Sequence, residues 1–235
     1  QDPKTTADLS AGYPSADPAL LNIGLLHTSL DGRPGHEPYA PCTLDGLRGK
    51  GYAYWALGHV HTREIVSEAP WVVYPGNLQG RHARETGPKG CTLVTVDESA
   101  PREAAIQSVR HQPLDVVRWE HLHLNIAGCD TLDDLLAHAR DALDHALTAE
   151  PERLLALRLT LTGAGAVHEH LHARRDYWLN ELRGLSLDLA PERLWLEKLR
   201  VETRGVVDEA ALAEREDAVG ALFRGLQALP TDADA

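Results

Sequence analysis

The sequence contains no methionine and only three cysteines, Cys42, Cys91 and Cys129. The cysteines are odd in number, far apart and in no Cys-x-x-Cys pair. That excludes a disulfide framework and a zinc ribbon, and reads as reduced thiols in a cytoplasmic protein. An excess of positive charge is also missing. Lys and Arg number 23 against 35 Asp and Glu, a formal charge of −12. A generally basic nucleic-acid coat is therefore excluded, and any DNA contact must come from a local patch or a metal site. No run of about 18 apolar residues occurs, so no membrane-spanning helix is expected. With no methionine, and with Gln1-Asp2-Pro3-Lys4 at its start instead of a charged-then-apolar leader, the chain reads as the later part of a longer protein.

What is present is an ordinary globular composition, 43% hydrophobic and 25% charged over 235 residues. That length suits one large domain or two small ones. Charge and texture change midway. Residues 1–120 hold 14 acids and 11 bases (net −3), and residues 121–235 hold 21 acids and 12 bases (net −9). The first half is rich in Gly and Pro with short apolar runs. The second is rich in Leu, Ala, Glu and Arg with long helical patterns. These shifts predict a boundary near residues 112–125, dividing the chain into 1–118 and 119–235.

In the first half, the apolar run Leu20–His27 and the segment Tyr52–Gly58 read as buried strands ending on His27 and just before His59. Thr43 caps a short helix over 43–48. Residues 64–67 and 71–74 read as a hairpin around Ala69-Pro70. Residues 91–96, 105–109 and 114–119 are expected to continue the sheet. In the second half, residues 122–126, 154–162 and 194–201 read as strands. Helices are expected from Thr131 to Pro151, over 166–183 and over 208–229. The order is β-α-β-α-β-α, a small α/β unit too short for a doubly wound sheet. The predicted fold class is α/β (α+β).

The thirteen histidines carry the candidate chemistry. His59 and His61, in Gly58-His59-Val60-His61, directly follow a buried strand, and His27 ends another. If those strands are neighbours, three imidazoles converge at the carboxyl edge of one sheet, where open α/β sheets place their sites. Neutral imidazole is a common ligand for manganese, iron and zinc. A second cluster, His168-Glu169-His170-Leu171-His172, matches H-E-x-x-H. It lies in an acidic segment without an obvious third ligand and reads as a solvated helix start. His121 and His123 are expected to face solvent. Residues 75–90 form a Gly-rich loop with Arg81, Arg84 and Lys89, which with His82 can hold a phosphate.

Leu25-Leu26-His27, then Ala56-Leu57-Gly58-His59-Val60-His61, then Tyr74-Pro75-Gly76-Asn77, resembles the late part of a calcineurin-like metallophosphoesterase. The resemblance covers residues 20–97 and is greatest to the SbcD-like DNA-repair exonucleases. It implies the C-terminal half of a metallophosphoesterase β-sandwich followed by a capping-type α/β domain. It also implies a metal-dependent hydrolase of DNA phosphodiesters that uses two metals, manganese by expectation. His27 and His59 would bind one metal and His61 the other, with phosphate held by Arg81, His82 and Arg84. The early motifs of that family (Asp-x-His, Gly-Asp, Gly-Asn-His-Asp) do not occur in these residues. They supply the bridging carboxylate, an Asn ligand and the acid His, so the chain by itself is expected to be inactive, with no catalytic residue of its own. The implied partners are DNA, an SMC-like ATPase and a second copy of the chain, with no membrane. The alternative is a non-catalytic assembly module that docks such an ATPase or DNA.

Overall fold

The computed structural model describes residues 5–32, 39–206 and 209–227. The chain forms two compact units. The first comprises residues 1–121, 147–158 and 192–195. The second comprises 122–146, 159–191 and 196–235.

In the first unit, β1 (Ile23–His27), β2 (Tyr54–Gly58), β3 (Glu64–Glu68) and β4 (Trp71–Tyr74) build a sheet of order β1-β2-β4-β3. β1, β2 and β4 are parallel, and β3 runs antiparallel to β4. The connection from β1 to β2 contains α1 (Leu44–Gly49), started by Thr43, whose Oγ1 accepts a hydrogen bond from the Gly46 amide at 3.1 Å. The core is apolar: Leu26, Leu30, Leu47, Trp55, Leu57, Val72 and Tyr74 are buried together. β1 alternates with the strand period. Gly24 and Leu26 are buried, while Ile23, Leu25 and His27 face outward. Gly24 stands opposite Trp55 in the register, and a Cβ there would lie 2.2 Å from the indole. The absent side chain is what lets the indole fill the core.

β5 (Gly90–Val96) and β6 (Ile106–Pro113) form a separate two-stranded antiparallel sheet. The expectation that 105–109 and 114–119 continue the first sheet is thus corrected. Pro113 has no N–H to extend a ladder. The amides of Leu114 and Asp115 both donate to the Lys89 carbonyl, at 2.9 and 3.1 Å. Asp115 is then buried against Arg118 through two 2.8 Å bonds, which turns the chain before the next strand.

That strand, β7 (Val117–Asn125), is followed by α2 (Leu132–Ala149), β8 (Leu154–Ala164), α3 (His168–Ala173), α4 (Arg175–Leu189), β9 (Leu194–Arg204), α5 (Glu209–Glu214) and α6 (Ala218–Gln227). The sheet order is β7-β8-β9, and the chain passes from the first unit to the second within each of these strands. Hydrogen bonds at both ends give the direction. Leu154 N donates to Val116 O and Ile126 N to Thr162 O. Leu155 N donates to Arg193 O and Gly165 N to Arg204 O. All three strands are parallel, joined by helical crossovers as parallel strands require. Thr131 and Asp134 cap α2 reciprocally: Asp134 N donates to Thr131 Oγ1 at 3.1 Å and Thr131 N to Asp134 Oδ2 at 2.8 Å.

Two expected helices are broken. The one over 166–183 is interrupted at Arg174, whose backbone leaves the helical region (φ −133°, ψ 45°). The one over 208–229 is interrupted before α6. There Asp217 Oδ1 accepts from the amides of Val219 and Gly220 at 3.1 and 3.0 Å, a helix start inside the expected helix. Its last two positions, 228 and 229, lie outside the described residues, as does 208. The molecule is a mixed α/β protein. Among the described residues, no helix is long and apolar enough to cross a membrane.

Candidate metal centre

β1 and β2 are parallel neighbours, and the register pairs His27 with Gly58. Their carboxyl ends therefore coincide, and the next residue, His59, reaches the same place. The His27 and His59 rings lie 5.2 Å apart at 75°. Tyr39 flanks both, 5.3 Å from His27 and 6.2 Å from His59, between ring centroids. Glycine at position 58 leaves room for this pair, since a Cβ there would come within 2.9 Å of His27 Nδ1. His59 itself has φ of 108°. A residue with a Cβ adopts such a backbone only under strain, which at a strand end beside clustered imidazoles points to function.

The Pro75-Gly76-Asn77 turn locks the histidine loop from below. Gly76 has φ of 77°, and a Cβ on it would stand 2.8 Å from Arg63 N and 2.9 Å from the His61 carbonyl. The Asn77 amide donates to that same carbonyl at 3.0 Å. Further back, Tyr74 donates its hydroxyl to Thr28 O (2.8 Å) and accepts from Leu30 N (3.0 Å), pinning the segment after His27.

His61 is tied to the loop that follows the Pro75-Gly76-Asn77 turn. Its Nδ1 lies 2.9 Å from Glu85 Oε1 and 2.8 Å from a guanidinium nitrogen of Arg81. Glu85 is 8% exposed. It accepts the Arg81 amide at 2.8 Å and the Arg81 guanidinium at 3.3 Å, with His82 Nε2 3.6 Å away. Burial pushes its carboxyl up, but the Arg81 amide, the Arg81 guanidinium and His61 outweigh it and hold the pKa down to about 2. His27 is shifted below the usual imidazole value, first by partial loss of water and then by His59 and His61. That shift favours the neutral ring, the form that ligates metals.

Of the predicted phosphate holders, Arg81 is drawn into the cluster at His61. His82 stands at its margin, and Arg84 is exposed, its amide donating to His82 Nδ1 at 3.3 Å. Among the described residues, no three His, Cys, Asp or Glu side chains gather as a group able to hold a metal. Glu85 and Tyr39 were not legible as site residues. Glu85 looked like one acid in a basic loop; the only available hint was its position four residues after Arg81.

The second histidine cluster is structural in its contacts. His168 and His172 rings stand 4.5 Å apart, His168 Nδ1 lies 2.9 Å from Thr203 Oγ1, and Trp178 Nε1 donates to His170 Nδ1 at 3.4 Å. His121 and His123 are exposed.

A parallel sheet edge carrying a lone histidine, a Gly-His-x-His step and a Pro-Gly-Asn turn is the arrangement that the metallophosphoesterase resemblance implies. Comparison with known proteins points the same way. Residues 119–204 match the family described as Metallophosphoesterase YhaO, middle domain. The chain is 33% identical over 218 residues to a protein of Bacillus subtilis (strain 168) described as an uncharacterized metallophosphoesterase, YhaO. That alignment covers 92% of this chain and 51% of the relative, so the chain spans about half the length of the curated relative it matches. Both matches are to proteins described as metallophosphoesterases.

Proposed function

We propose that this chain carries the late, histidine-rich half of the metal site of a DNA phosphodiesterase, an SbcD-like exonuclease acting in DNA repair in the cytoplasm. The reading rests on one observation above all: His27 and His59 meet at the coincident carboxyl ends of two parallel strands, 5.2 Å apart between ring centroids. The relative's description as a metallophosphoesterase supports the reaction class.

His27 and His59 supply two imidazole donors of the kind that ligate divalent cations, with the remaining ligands still to be supplied. The His27 imidazole is shifted towards its neutral form, and Gly58 leaves a space beside its Nδ1 that a Cβ would fill. His27 and His59 would hold one cation and His61 the other, manganese in our reading. When bound, the cations would polarise a phosphoryl oxygen and activate water. Arg81, with His82 and Arg84 beside it, would orient the phosphate by charge-assisted hydrogen bonds.

These residues do not supply a complete two-metal centre. Two dications about 4 Å apart repel by roughly 16 kcal/mol at an effective dielectric of about 20, so anionic ligands must offset them. The buried carboxylate beside His61, Glu85, is engaged with Arg81 and His61. The face of β1 that bears His27 is also uncovered: Ile23 and Leu25 on it are 50% and 70% exposed, and β1 is the edge of its sheet. This open apolar face suits further chain from the part of the protein that the relative has and these residues lack. DNA is the proposed substrate. An SMC-like ATPase and a second copy of the chain are the proposed partners.

Calorimetric titration with manganese(II) tests the reading. We expect weak binding by the chain, weakened further by at least about tenfold in His27→Ala and in His59→Ala, and unaffected by His121→Ala. Equal binding by all four proteins would remove the site.

A further inference from the structure

We propose that Trp195 and Trp119 form a stacking platform for a base of single-stranded DNA whose phosphate is held at Arg81. This rests on the phosphodiesterase reading above and deepens it by naming the form of the strand. Trp119, Trp195 and the loop that carries Arg81 all belong to the first unit.

Sheet register builds the platform. β8 is the middle strand of β7-β8-β9. Leu154 N donates to Val116 O and Leu155 N to Arg193 O, which sets Ala156 beside Trp119 on one side and Trp195 on the other. Alanine is small, so the two indoles meet over it, with ring centroids 5.8 Å apart at 59°. Leu194 and Leu196 are buried on the opposite face of β9, while Trp195 is 51% exposed. An open indole offers an apolar ring face, and every base has a π-face to lay on it.

The basic loop is fastened to the same platform. Gln79 Oε1 accepts the amides of Val116 and Val117 at 2.9 and 3.2 Å. Trp119 Nε1 donates to the Gly80 carbonyl at 3.1 Å, and the Gly87 amide donates to the Trp119 carbonyl at 3.1 Å. The loop thus runs along β7, an edge strand. A Cβ on Gly80 would stand 3.0 Å from Trp119 Cδ1 and 2.8 Å from the Glu85 carbonyl, so glycine is what lets the loop lie against the indole. Arg81 is the next residue, and its side chain is 60% exposed. One of its terminal nitrogens is engaged with Glu85 and His61. A guanidinium carries five N–H donors, so others remain for a phosphate. A strand with one phosphate at Arg81 carries a neighbouring base to the indoles. A duplex would not, because its bases already stack on one another.

The test is binding of labelled oligothymidylate to the full chain at low salt, read by fluorescence anisotropy. An abasic strand of equal length and charge, and a duplex, serve as comparisons. The native chain should bind oligothymidylate more tightly than the abasic strand by about tenfold. Trp195→Ala should abolish that ratio without weakening abasic binding, and Trp195→Phe should keep most of it. Arg81→Ala should weaken both strands by a similar factor. Should Trp195→Ala fail to fold, the native chain and Trp195→Phe decide. Equal binding of the base-bearing and abasic strands by the native chain, a ratio unchanged in folded Trp195→Ala, no binding of either strand, or duplex binding with the same dependence on Trp195 would each overturn the proposal. If the ratio behaves as stated but the chain binds no manganese, the platform stands and the metal-site reading fails.

Discussion

His59 pays for its place: a non-glycine residue at φ 108° carries strain of about 1–3 kcal/mol. Glycine would relieve it and alanine would not, because both remove the imidazole but only glycine removes the Cβ. We therefore expect His59→Gly to be more stable than His59→Ala by about 1 kcal/mol, measured by urea unfolding. Equal stabilities would show that the backbone there is unstrained. A second residue-scale expectation concerns Asp115, buried against Arg118, which also contacts Glu150. Burial pushes the Asp115 carboxyl up, but Arg118 more than reverses this and holds it below its ordinary value of 3.8. The folded state thus binds this proton more weakly than the unfolded chain. Its stabilisation is complete above pH 3.8 and fades as pH falls below it. Asp115→Ala should cost about 3–5 kcal/mol at pH 7, because it strips a buried guanidinium of its main partner. The gap between the two proteins should narrow in urea unfolding at pH 3; a gap independent of pH would contradict the assignment. The strand-end histidines were legible because motif and strand signals coincide at them. Glu85 was not, because a single acid among Arg81, His82 and Arg84 looks like a solvated loop charge until its burial is known.

At the scale of elements, the sequence exposes whatever is decided by local pattern. β1, β2, the β3–β4 hairpin, the Thr43-capped α1, α2, β8 and β9 follow from apolar runs, caps and turn residues close in sequence. The errors arose where a long-range bond or an internal cap decides. The Lys89 carbonyl, engaged by Leu114 and Asp115, ends β6 from more than twenty positions away, and Asp217 restarts a helix that periodicity alone would continue. Gly24 makes the pairing of β1 with β2 testable. Gly24→Ala would force a Cβ to within 2.2 Å of the Trp55 ring unless the strands move. Overpacking of this kind costs about 1–3 kcal/mol, so we expect a loss of stability in that range with a shifted Trp55 fluorescence maximum. Gly12→Ala, with nothing within 4 Å, should change neither. A Gly24→Ala protein as stable as the parent would mean that β1 does not pack on Trp55.

At the scale of the whole molecule, the chain matches about half of a protein described as a metallophosphoesterase, and we propose that its histidines form the late part of that protein class's metal site. Charge and texture change midway along the chain, but the two units interleave in sequence: the chain passes from the first to the second within β7, β8 and β9, and residues 147–158 and 192–195 belong to the first, an order that no local pattern encodes. The central claim is that these residues hold the late metal ligands and need the remainder of the protein for catalysis. The most direct measurement compares manganese-dependent hydrolysis of a DNA strand by this chain and by a longer polypeptide that includes the upstream region, each with and without His59→Ala. We predict cleavage by the longer polypeptide, lost on His59→Ala, and none above background by this chain. Robust manganese-dependent cleavage by this chain that is lost on His59→Ala would show that its site is already complete, and would contradict the claim.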